Sequence, residues 1–86
     1  MKSVEILKQA IEVQENKAKD YGTDRAKYFL FKDESYLTML VIKIERLKEL
    51  RGKTAVHESA MDSVIDLINY SSFYAEYLSE KDGGLS

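Results

Sequence analysis

HESAMDSVIDLINYSSFYAEYL, residues 57–78, is the stretch on which the reading of this chain turns. At about 100° per residue, Asp62, Asp66 and Asn69, with Glu58 and Glu76, fall within roughly 80° of one another on a helical wheel. Ala60, Met61, Val64, Leu67, Ile68, Ala75 and Leu78 hold the opposite side. An ordinary amphipathic helix flanks its polar stripe with more polar residues. Here Ile65 and Phe73 sit inside the stripe, and Tyr70, Tyr74 and Tyr77 border it. Carboxylates so surrounded are expected to be partly buried, and partly buried carboxylates need cations, donors or protons. A D-x-x-x-D-x-x-N pattern also fits a solvated helix face, so the rest of the chain has to decide.

Working outward, 86 residues with no proline, no cysteine and four glycines predict one small, nearly all-helical domain. The expected fold is an all-α, up-down bundle of three main helices near residues 3–20, 33–51 and 54–79. It forms a single domain over 1–80, followed by a flexible tail at 81–86. Ser3 and Asp33 are the expected N-caps, and Gly22 and Gly52 the expected stops. In the first helix Val4, Leu7, Ile11, Gln14 and Ala18, joined by Ile6 and Ala10, line one face. In the second, Leu37, Leu40, Ile44 and Leu47 recur at the spacing of a buried stripe. The connector TDRAKYFLFK, residues 23–32, carries an apolar centre expected to fold onto the bundle.

A net charge of −2 argues against general nucleic-acid binding. The absence of cysteine removes disulfides and thiolate chemistry. No apolar run approaches a membrane span and no secretory h-region opens the chain, so the expected location is cytoplasmic. The third helix is apolar around most of its circumference. A homodimer or higher homo-oligomer is therefore expected, buried through Ile65, Phe73 and Tyr77.

The second helix has its own acidic stripe of Glu34, Thr38, Glu45 and Glu49. Counting back from an antiparallel turn near Lys53 puts Glu45 level with Asp62 and Glu49 level with Glu58. Facing stripes would gather Glu45, Glu49, Glu58, Asp62 and Asp66 into an oxygen-only cluster suited to Mg²⁺ or Mn²⁺. Such an ion binds nucleotide phosphates and activates water, with Glu45 or Asp62 as candidate base. Lys43, Arg46, Arg25 and Lys27 are candidate nucleotide contacts, with Asn69 beside Asp66. For Lys43 and Arg46, surface pairing with Glu45 and Glu49 is the competing assignment. Ser71 and Ser72 have no His or Asp at useful spacing, so nucleophilic hydrolysis has no support.

Four segments in order carry a resemblance: NKAKDYG at 16–22, the aromatic run ending at Lys32, KIERLKEL at 43–50, and E-S-x-x-D-S-x-x-D-L-I-N-Y at 58–70. Over roughly residues 14–78 the chain resembles the small phage and bacterial nucleotide-modification-associated domain, near the MazG-like all-α nucleoside triphosphate pyrophosphohydrolases. The resemblance implies Mg²⁺-dependent binding of a nucleoside triphosphate and its hydrolysis to monophosphate and pyrophosphate. The positions that match are Asp66 with Asn69, and Lys43 with Arg46. Where the broader family has E-E-x-x-E and E-x-x-D, this chain has Glu45 and Glu49, then Glu58, Asp62 and Asp66 at four-residue intervals. The alternative is a non-catalytic helical interaction or inhibitor protein, phage-encoded, that sequesters a nucleotide signal or binds a host protein.

Overall fold

A computed structural model describes residues 1–21, 32–53 and 57–81, without the side chains of 19–21, 57, 58 and 81. Among them are three helices and no strand: α1 (Lys2–Tyr21), α2 (Asp33–Leu50) and α3 (His57–Lys81). The expected connector contact, the Gly22 stop and the residues after Lys81 lie outside the described residues, as do the first three residues of the expected third helix.

The N-caps differ from those expected, by two positions in α1 and by one in α2. The Met1 carbonyl accepts from the Glu5 N–H at 3.2 Å, so α1 begins before Ser3, which sits inside its first turn. Asp33 is the first residue of α2 and not its cap. That place is Lys32, at φ 54° and ψ −132° with no side-chain cap bond. Asp33 still places a carboxylate at the positive helix end, and there its Oδ1 accepts from the Tyr74 hydroxyl at 3.2 Å. At the other end, Arg51 (φ −61°, ψ 130°) and Gly52 (φ 80°) form the centre of a type II turn closed by the Lys53 N–H to the Leu50 carbonyl, 3.2 Å. The positive φ is what requires glycine at 52.

Both α1 and α2 pack against α3, and among the described residues they do not pack against each other. Cross-helix contacts give the directions. Tyr36 stacks on Tyr74 while Lys43 reaches Asp66, so α2 and α3 are antiparallel. Ala10, Gln14 and Lys17 of α1 meet Asp66, Asn69 and Ser72 in the middle of α3.

Ala10, Tyr36, Leu50, Ile65 and Tyr77 are buried among the described residues, with Ser63 and Asn69 as buried polar residues. Three of these, Ile65, Asn69 and Tyr77, lie on or beside the polar stripe of α3. The stripe is in part the packed face of the helix, as its apolar frame implies: Asn69 is buried and Asp66 half-buried, while Asp62 and Glu76 are exposed. On the far side Leu78 is exposed and Met61, Val64, Leu67 and Ile68 are half-buried. Ile65 and Tyr77 are consequently used inside the chain and do not offer the oligomer surface expected of them. Burial on α1 falls on Ile6, Ala10, Val13, Gln14 and Ala18, while Val4, Leu7 and Ile11 are exposed. On α2 it falls on Tyr36, Met39, Leu40, Lys43, Leu47 and Leu50, with Leu37 and Ile44 exposed. Both packed faces are rotated from those expected: α1 keeps Gln14 inward but turns Val13 in and Val4, Leu7 and Ile11 out, and α2 packs on the face that carries Lys43, whose partner is on α3.

Candidate functional site: a polar seam where three helices meet

Asp66 is the point at which all three helices connect. Its position on the packed face of α3 leaves 23% of its side chain exposed. Lys43 of α2, itself 24% exposed, places Nζ 3.0 Å from Oδ2. Lys17 of α1 places Nζ 3.3 Å from Oδ1, with 61% of its side chain open to solvent. Each carboxylate oxygen therefore faces one ammonium, each from a different neighbouring helix. The Lys43 ammonium also stands 5.9 Å from the centre of the Tyr70 ring, at the outer range of a cation–π contact.

One turn along, Asn69 fixes the height at which α1 sits. Its Nδ2 donates to the Ala10 carbonyl at 3.1 Å, and its Oδ1 accepts from Gln14 Nε2 at the same distance. Gln14 Nε2 also reaches the Ser72 hydroxyl at 3.2 Å, and that hydroxyl donates to the Asn69 carbonyl at 2.7 Å. Ala10 is only 1% exposed, and a small side chain there permits the close backbone approach that the Asn69 bond needs. Among the described residues no fully buried side-chain nitrogen or oxygen lacks a hydrogen-bond partner.

A second polar and aromatic cluster closes the far end of the α2–α3 pair. The Tyr36 and Tyr74 rings stack at 5.4 Å, and Tyr77 lies 5.1 Å from Tyr36 and 6.3 Å from Tyr74. Tyr36, 2% exposed, is the anchor of this end, and the Tyr74–Asp33 bond ties it to the start of α2.

The opposed acidic stripes expected from the sequence do not assemble among the described residues. Glu45 and Glu49 lie on the side of α2 turned away from Tyr36, Lys43 and Leu50, with 57% and 68% of their side chains exposed. They pair within their own helix, Glu45 with Lys48 at 3.3 Å and Glu49 with Arg46 at 3.9 Å. The surface-pairing assignment thus describes Arg46 but not Lys43. Asp62 is exposed, and the side chain of Glu58 is not described. No three His, Cys, Asp or Glu side chains among the described residues group so as to hold a metal ion. Among the described residues the donor set at Asp66 does not fit Mg²⁺ or Mn²⁺, because a divalent ion there would have to displace one or both ammonium groups. Arg25 and Lys27 lie outside the described residues.

What the sequence did not single out is Lys17 and Gln14. Lys17 opens the K-x-x-D-Y-G segment, and a glutamine in an otherwise apolar row is the kind of polar residue that buries only with a partner. Both were visible signals.

The model of the family described as nucleotide modification associated domain 1 matches residues 17–75. The chain belongs to this family. The family match takes in Lys17, Lys43, Asp66, Asn69 and Tyr70, so every charged member of the seam lies within it. No curated protein and no solved structure matches the chain. No helix among the described residues is long and apolar enough to cross a membrane.

Proposed function

We propose that this chain is a nucleotide-binding domain whose seam receives the phosphates. The observation that carries the reading is the convergence of Lys17 and Lys43 from two helices on the single carboxylate of Asp66. Two ammonium groups against one carboxylate leave the seam positively charged. Lys17, largely exposed, is free to turn toward an arriving phosphate, while Asp66 keeps Lys43 aimed at the opening. Tyr70 borders the same point, its ring 5.9 Å from the Lys43 ammonium. The family description supports a nucleotide as the ligand.

Binding is favoured over turnover, since the described residues gather one half-buried carboxylate at the seam and not three. Kinship with the MazG-like pyrophosphohydrolases, and with it Mg²⁺-dependent hydrolysis, rests on the motif order alone. A second reading, a helical interaction module, is favoured by the exposed apolar rows Val4–Leu7–Ile11 and Leu37–Val41–Ile44.

Isothermal calorimetry with the common ribo- and deoxynucleoside triphosphates, with and without Mg²⁺, tests the proposal. Saturable heat is expected from at least one of them in the native chain, retained in Lys43→Arg and lost in Lys43→Met. No heat from any nucleotide, or binding unchanged in Lys43→Met, overturns it. Product analysis of the same mixtures for monophosphate and pyrophosphate separates binding from hydrolysis.

A further inference from the structure

On the side of α2 turned away from α3, Glu34, Leu37, Val41, Ile44 and Lys48 recur at i, i+3, i+7, i+10 and i+14, within about 80° of one another. This is the seam spacing of two helices that pack side by side. The three apolar members are exposed at 47%, 55% and 45%, which is unusual for aliphatic side chains in so regular a row. Glu34 at one end is exposed, and Lys48 at the other has 60% of its side chain in solvent.

The charges choose the occupant. In a parallel pair of two such rows, Glu34 would meet Glu34 and Lys48 would meet Lys48. In an antiparallel pair centred on Val41, each Glu34 meets the Lys48 of the other copy, and Leu37 and Ile44 close over the middle. We infer that α2 is the surface through which two copies of this chain associate, antiparallel, about a twofold axis near Val41. Lys48, now 3.3 Å from Glu45 of its own helix, can satisfy Glu34 of the second copy by a rotamer change. The row Val4–Leu7–Ile11 on α1 carries no such pair of opposite charges at its ends, and it serves as the control surface. The inference does not depend on nucleotide binding, because none of these residues lies in the Asp66 seam.

Sedimentation velocity over a concentration series of the full chain tests it. A species of twice the 9.9 kDa chain mass is expected. Val41→Glu should give monomers with unchanged helical circular dichroism, while Leu7→Glu leaves the dimer intact. Glu34→Lys or Lys48→Glu alone should raise the dissociation constant by about tenfold or more, because two attractive pairs become repulsive. The double reversal, Glu34→Lys with Lys48→Glu, should restore it. A chain that stays monomeric up to its solubility, a dimer lost in Leu7→Glu but not in Val41→Glu, or a double reversal no better than either single change overturns the inference. Should Val41→Glu unfold the chain, the charge reversals at exposed positions decide alone.

Discussion

Lys43 meets Asp66 at 3.0 Å from the packed face of its helix, not from solvent. A lysine on that face would normally be a defect in the α2–α3 contact. Here its ammonium is answered by a carboxylate on the same level of α3, and the Tyr70 ring flanks it. The pair is thus both part of the packing and the charged half of the candidate site.

The first prediction follows from that double role. Asp66→Asn leaves Lys43 half-buried against a neutral amide, which should cost about 1–2 kcal/mol. For a domain of this size that lowers the melting temperature by roughly 5–15 °C. A double-mutant cycle with Lys43→Met should show a coupling of about 1 kcal/mol, while Lys17, mostly exposed, should couple to Asp66 by less than half as much. Thermal melts followed by circular dichroism give all of these values. Equal coupling for the two lysines would contradict the burial difference.

Asn69 and Gln14 form a pair in which each single loss removes one of the other's side-chain hydrogen bonds. Asn69→Leu should cost about 1–3 kcal/mol, since the Gln14 amide loses one of its two acceptors and the Ala10 carbonyl its extra donor. Gln14→Leu combined with Asn69→Leu should cost clearly less than the sum of the two. Urea denaturation of the three variants checks this, and simple additivity would argue against a shared network.

The turn after α2 makes an independent test of the backbone. Gly52→Ala should cost about 1–2 kcal/mol because alanine pays for the left-handed region. No atom lies within 4 Å of where the new Cβ would stand, so the cost is conformational alone. Lys32 at φ 54° is the mirror case, and Lys32→Gly should raise stability by up to about 1 kcal/mol. Denaturant midpoints of the two variants should move in opposite directions.

Rotating the packed face of α2 has a consequence for mutagenesis too. Tyr36→Ala should cost about 3–5 kcal/mol and threaten folding of so small a domain. Ile42→Ala, at a position 51% exposed and off both apolar rows, should stay within about 0.5 kcal/mol of the native chain. Comparable losses at the two positions would mean that the face is misassigned.

Helix number and the antiparallel α2–α3 pair were legible because periodicity, the glycine at 52 and a short link all point the same way. That Asp66 and Asn69 have partners was legible because an Asp and an Asn framed by Ile65, Phe73 and three tyrosines demand them. The rotation of α1 and α2 was not legible. Apolar periodicity names the greasiest face of a helix, whereas the face chosen on α2 is the one on which Lys43 can reach Asp66. The same rotation takes Glu45 and Glu49 away from α3, so a wheel drawn without knowledge of the partner could not place them.

The central claim, that nucleotide phosphates bind at the Lys17–Asp66–Lys43 seam, is tested most directly by amide NMR of the isotopically labelled chain titrated with a nucleoside triphosphate found to bind. The account predicts saturable shifts confined to Gln14–Lys17, the neighbourhood of Lys43, and Asp66–Tyr70, all abolished in Lys43→Met. Shifts that instead follow the exposed row Leu37–Val41–Ile44, or that persist in Lys43→Met, would contradict it.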